Sequence, residues 1–121
     1  MSKILVIEDE EILAEILVMG LGADGHTVIT AGDGVAGLEA ARSENPDLGV
    51  TDMSLPKMTG WELVEKLRAD PVTAAVPIIA MTAHTTADDR SAAYAAGVSA
   101  YEKKPIDMAR LKAKVTELLG T

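Results

Sequence analysis

A chain of 121 residues that is 48% apolar is long enough for one cored domain and too short for a second of ordinary size, so a single domain over residues 1–121 with no appended module is expected. Eleven basic residues against nineteen acidic ones give a net charge of −8 with no basic run, which argues against direct nucleic-acid binding. Cysteine is absent, excluding disulfides and thiolate metal sites, and Met1-Ser2-Lys3 precedes only the short apolar run Ile4 to Ile7, too little for a signal-peptide core or a membrane span. A cytoplasmic location is the expectation.

Short apolar runs alternate with amphipathic stretches. Ile4 to Ile7 reads as a buried strand, and Ile12, Leu13, Ile16, Leu17 and Leu21 recur at helical spacing, with Gly25 ending that helix. Gly20 and Gly22 each cost about 1 kcal/mol relative to Ala in a helix interior, which favours an earlier end. His26 to Ala31 is rich in β-branched residues, and Asp33 caps a helix running through Leu38 to about Ser43, broken by Asn45-Pro46. Leu48 to Thr51 is a third strand. Thr59-Gly60-Trp61-Glu62 is a capping box opening a helix through Leu63, Val64 and Leu67, with Pro71 beyond its end. Pro77 to Met81 forms a fourth strand and Thr86 to Ala96 a fourth helix, stopped by Gly97. Val98 to Glu102 is a short fifth strand and Asp107 to Leu119 the last helix.

Five βα units with connections long enough for right-handed crossovers predict an α/β, doubly wound five-stranded parallel sheet of order 2-1-3-4-5, flavodoxin-like, with helices on both faces. In that order the first and third strands are neighbours at the switch point, so the loops after them face each other across a crevice. Glu8, Asp9 and Asp52 are thereby expected to meet. Like charges so close raise one another's pKa unless a cation intervenes. Hard oxygen ligands without histidine or cysteine suit Mg²⁺, whose remaining positions accept phosphate oxygens. Lys104 supplies a positive charge to the same anion, the Thr82 hydroxyl a hydrogen bond, and Asp52 is the carboxylate left to act as nucleophile. Phosphoryl transfer needs chiefly alignment and charge compensation, and an ionised carboxylate needs no general base. The expected product is an acyl phosphate on Asp52.

With Glu8-Asp9, Asp52, Pro56 and Gly60 after it, Thr82, and Lys104-Pro105 in place, essentially the whole chain resembles a receiver domain of two-component response regulators, similar to the stand-alone chemotaxis and cell-cycle regulators. The resemblance implies a phosphorylation-dependent switch that catalyses only its own phosphoryl transfer and autodephosphorylation. It implies Mg²⁺ held by Asp9, Asp52 and the Ser54 carbonyl, with Glu8 acting largely through water, and a cis Lys104-Pro105 bond. It implies a phosphohistidine donor on a sensor histidine kinase or histidine phosphotransfer protein, docking near Ile12, Glu15 and Ile106. Readout to a downstream protein target is implied through the fourth helix, fifth strand and fifth helix, with Tyr101 turning inward when Thr82 moves. Ser54 and His84, two residues after Asp52 and Thr82, occupy positions where a side chain can orient attacking water and set phosphate lifetime.

Taken singly, the landmarks have plainer readings: Glu8-Asp9 as a solvated helix start, Thr82 as a loop hydroxyl, Lys104 as a surface lysine, Tyr101 as half-buried core. Their joint placement at strand ends reverses that balance. Two other functions of the same fold class are disfavoured. An FMN carrier would have its phosphate repelled by Glu8 to Glu11, and an aspartate-based phosphohydrolase would have an acid where Ser54 stands. A pseudo-receiver that signals without phosphorylation remains the rival.

Overall fold

A computed structural model describes residues 2–83 and 86–120. Five strands alternate with five helices: β1 (Lys3–Ile7), α1 (Glu11–Gly22), β2 (Thr27–Ala31), α2 (Gly34–Glu44), β3 (Leu48–Asp52), α3 (Gly60–Ala69), β4 (Ile78–Thr82), α4 (Ala87–Ala96), β5 (Ala100–Lys103) and α5 (Met108–Leu119). All neighbouring strands are parallel, in the order β2-β1-β3-β4-β5 expected from the sequence.

Alternation along the central strands divides the core into two layers. Leu5 and Ile7 point to one face, where they pack with Leu63, Val64 and Leu67 of α3 and Ala93 of α4. Ile4, Val6, Leu48, Val50, Ile79 and Met81 point to the other, against Leu17 and Leu21 of α1 and Leu111 and Val115 of α5. Each fully buried aliphatic chain contributes about 1.5–3 kcal/mol, so two-sided burial of β1, β3 and β4 is the main source of sheet stability.

Local capping follows the sequence. Asp33 Oδ1 accepts from the Ala36 amide at 2.8 Å, and Thr59 and Glu62 form the reciprocal capping box at the start of α3. Most boundaries shift by a residue or two, and four of the shifts have a clear cause. Strands β3 and β4 each run one residue beyond the apolar run, to Asp52 and Thr82, because ladder hydrogen bonding does not depend on side-chain polarity. The fifth strand begins at Ala100, since the Val98 amide is used to close α4 on the Ala93 carbonyl. The first helix is not cut short at Gly20, where α1 meets the Met108 side chain of α5; a Cβ there would have to displace that flexible side chain. That helix ends at Gly22, and Gly25, with φ +89°, takes the left-handed turn into β2. Gly49, unusual in a central strand, makes room for the Ile78 side chain of β4.

Arg68, near the end of α3, has no carboxylate partner among the described residues. Its guanidinium donates instead to three backbone carbonyls, Gly97 at 2.9 Å, Ala74 at 3.0 Å and Val76 at 2.6 Å, and burial lowers its pKa from the ordinary value. It ties the end of α4 to the loop that leads into β4. His26 is half-buried, and its Nδ1 has no hydrogen-bond partner among the described residues.

Gly60→Ala is expected to destabilise the domain by about 1–3 kcal/mol, because the new Cβ would lie 2.7 Å from the Asp52 carbonyl oxygen, a backbone atom that cannot swing aside. Gly22→Ala, into open space, is expected to stabilise by about 0.4–1 kcal/mol. Urea denaturation of both variants checks the pair; equal effects would contradict the packing.

Candidate functional site

The C-terminal ends of β1, β3 and β4 converge at one edge of the sheet. In the ladder Ile7 pairs with Thr51 and Asp52 pairs with Met81, so residues after β1 and at the end of β3 are side by side. The Glu8 amide is held on the Ala31 carbonyl at 3.0 Å and the Lys104 amide on the Thr82 carbonyl at 2.8 Å, which extends the sheet's order into both loops.

Glu8, Asp9 and Asp52 do come together: one carboxylate oxygen from each lies within 4.8 Å of the others. Glu8 and Asp52 are buried and Asp9 is exposed. Lys104 Nζ lies 2.9 Å from Asp52 Oδ2 and 3.3 Å from Glu8 Oε1. The other oxygens are also engaged, Asp52 Oδ1 by the Ser54 amide at 3.1 Å and Glu8 Oε2 by the Glu10 amide at 3.1 Å. One ammonium against three carboxylates leaves two negative charges in the crevice, the charge that a divalent cation cancels. The all-oxygen donor set fits a hard cation.

Burial is the main reason that the Glu8 carboxyl is held above its ordinary pKa of 4.5, and the negative charge of Asp52 adds to it, while the Glu10 amide and Lys104 oppose it. For Lys104, burial works against the charge. Its hydrogen bond to Asp52 and the proximity of both carboxylates outweigh that and raise its pKa above 10.5.

Thr82 is buried at the end of β4, and its side chain shares a hydrogen bond with Tyr101. Tyr101 is buried against the α3–α4 side of the core, with the Arg90 guanidinium 5.6 Å from the ring centre. Its phenol is pushed above its ordinary pKa by burial and by Asp89, against the effect of the Thr82 hydrogen bond. The Lys104-Pro105 bond is cis, as the resemblance implies. Ser54 is exposed, and His84 lies outside the described residues.

Two features escaped the sequence reading. Glu102 is only 1% exposed, although it stands in a strand between Tyr101 and two lysines, and it is held by Arg110 Nε at 2.9 Å and Lys114 Nζ at 2.6 Å. The only signal for it was the spacing of Arg110 and Lys114 on one face of α5. Secondly, the helical repeat of the first helix does not lie wholly in the core. Leu17 and Leu21 are buried, but Ile12 is 74% and Met19 73% exposed, with Ile16 beside them.

The fold and crevice define a flavodoxin-like α/β domain with a cluster of three acids, an all-oxygen set that could hold a cation, at the topological switch point. Residues 4–116 match the response regulator receiver domain, and the chain belongs to that family. Members of it are signalling switches and not conventional enzymes. The chain is 37% identical over 118 residues to the alkaline phosphatase synthesis transcriptional regulatory protein PhoP of Bacillus subtilis, covering 98% of this chain and 48% of PhoP. It is thus about half the length of that regulator. Among solved structures, the receiver domain of the sensor histidine kinase PA1611 of Pseudomonas aeruginosa, with a magnesium ion coordinated in its active site cleft, superposes with a TM-score of 0.91 at 28% identity, covering 99% of this chain and 98% of that one. The chemotaxis response regulator CheY4 of Vibrio cholerae superposes with a TM-score of 0.92 at 26% identity, with 98% of each chain covered. No helix among the described residues is long and apolar enough to cross a membrane.

Because the folded-state pKa of Glu8 is raised, the folded protein binds the Glu8 proton more tightly than the unfolded chain. The contribution is therefore complete below pH 4.5 and is lost as pH rises through the folded value. In chelator-containing buffer, native protein is expected to lose urea resistance relative to Glu8→Gln as pH rises from 4.5 towards neutrality. A difference constant across that window would contradict the assignment.

Proposed function

We propose that this chain is a phosphorylation-dependent signalling switch whose phosphoacceptor is Asp52. The observation that carries the reading is the placement of a buried carboxylate with one oxygen 2.9 Å from Lys104 Nζ, inside a cluster of two further acids suited to Mg²⁺. Asp9, Asp52 and the Ser54 carbonyl would hold the ion, with Glu8 acting largely through water. Bound there, Mg²⁺ would offset charge on the transferring phosphoryl oxygens.

The chain's own residues have distinct parts. A carboxylate oxygen of Asp52 attacks the phosphorus of a phosphohistidine, the P–N bond breaks as the P–O bond forms, and the imidazole leaves with the electron pair and takes a proton from solvent. Lys104 stays beside the carboxylate and pairs with the negative charge that the phosphoryl oxygens bring. Thr82, at the adjacent strand end, donates its hydroxyl to a phosphoryl oxygen. That donation competes with its hydrogen bond to Tyr101, which couples the site to α4 and β5. Autodephosphorylation by attack of water resets the switch.

The donor is a sensor histidine kinase or histidine phosphotransfer protein. Its docking face is the largely apolar recess of about 340 Å³ lined by Leu13, Ile16, Pro105, Ile106 and Met108, with Glu10 and Lys104 at its polar edge, next to exposed Ile12 and to Glu15. Readout to a downstream protein target runs through the α4-β5-α5 face. The setting is the cytoplasm, with no membrane or direct nucleic-acid contact by this domain.

Intact-protein mass after incubation with acetyl phosphate tests the reading. A single phosphoryl adduct that requires Mg²⁺, is removed by hydroxylamine, and is absent from Asp52→Asn is the expected result. Absence of labelling here and with histidine kinases would favour the phosphorylation-independent rival. Tyr101→Ala is expected to keep Asp52 labelling while weakening phosphorylation-dependent partner binding several-fold; unaltered binding in a pull-down would remove Tyr101 from the switch.

A further inference from the structure

The charge of this chain is unevenly spread. Against a net charge of −8, four of the eleven basic residues, Arg90, Lys103, Arg110 and Lys114, line a single recess of about 270 Å³ together with Tyr101 and Glu102. Glu102 lies beneath, buried between Arg110 and Lys114, so the lining carries an excess of three positive charges, offset in part by Asp89, whose charge reaches Tyr101 from α4.

The two halves of the recess differ. On the α5 side, Glu102 takes Arg110 through Nε and Lys114 through Nζ, which fixes both side chains on β5. Arg110 is still 58% exposed, and its terminal nitrogens have no acceptor among the described residues. On the α4 side, Arg90 lies over the Tyr101 ring, and neither it nor Lys103 forms an ion pair among the described residues. Planar guanidinium groups on both walls suit two-pronged recognition of carboxylates.

We infer that the recess between α4, β5 and α5 binds an acidic peptide segment, at least two of whose carboxylates pair with Arg90 and Lys103 on one side and with Arg110 on the other. The inference rests on the switch reading only in assigning that segment to the downstream target. A short acidic peptide is favoured over a nucleic acid. A long polyanion would also meet the field of the −8 chain, whereas a few carboxylates seated in the recess feel mainly the neighbouring cations, since other charges are screened beyond about 8 Å at physiological salt. Arg90 also stacks on the residue hydrogen-bonded to Thr82, so the recess and the crevice share Tyr101.

Titration of the ¹⁵N-labelled chain with acetyl-hexaglutamate, without a phosphoryl donor, tests the binding. Amide shifts centred on Arg90, Tyr101 to Lys103 and Arg110 to Lys114 that weaken with added salt are expected. Arg90→Glu combined with Lys103→Glu, which leaves the Glu102 clip intact, is expected to weaken binding at least tenfold while preserving the rest of the spectrum. Shifts centred elsewhere, undiminished binding by the double variant, or equal shifts with hexathymidylate would overturn the inference. So would self-association of the chain through these residues, measured by diffusion. None of these outcomes bears on Asp52 labelling, so failure here and failure of the switch reading are separable.

Discussion

One ammonium group, that of Lys104, holds the functional edge of the sheet together. It reaches Glu8 and Asp52, which lie 96 and 52 residues earlier in the chain, and bonds to both where their carboxylates are buried. Uncompensated, two buried carboxylates at this separation would be costly, and removing the partner of a buried charge typically costs about 3–5 kcal/mol. The strand order makes the arrangement possible, and the backbone bond from the Lys104 amide to the Thr82 carbonyl aims the lysine at it.

The compensation is incomplete by design of the site's chemistry. Lys104 balances one acid of three, and the elevated pKa of Glu8, due first to burial, also carries a contribution from the unbalanced charge of Asp52. The same imbalance makes the crevice receptive to a cation and, once a cation is present, to an anion beside it.

Much of this was legible in the sequence, because the fold places chemistry where apolar runs end. Each of Glu8, Asp52, Thr82 and Lys104 follows or closes such a run, and strand order then brings them together without any need for side-chain detail. What was illegible depends on partners chosen by tertiary packing. Glu102 and Arg68 look in sequence like ordinary surface charges, yet one is buried under two cations of α5 and the other satisfies a carbonyl 29 residues away. Gly20 and Gly22 favoured an end before Gly25, and α1 does end at Gly22, but the packing of Gly20 against Met108 of α5 could not be read, because propensity is a local quantity and that contact is not. Strand ends were misplaced by a residue or more for a related reason, since hydrophobicity tracks burial and the ladder tracks backbone bonding.

The three carbonyls gathered by Arg68 also give α4 a mechanical character. Its C-terminal end is anchored at Gly97, where a φ of +119° and the close approach of the Arg68 stem leave little play. The opposite end lies near Thr82 and Tyr101, about 15 Å away for a ten-residue helix. Arg68 thus holds α4 at the end away from Asp88 and Asp89, which stand in its first turn. Any displacement delivered to that turn would act on the part of the helix farthest from the anchor.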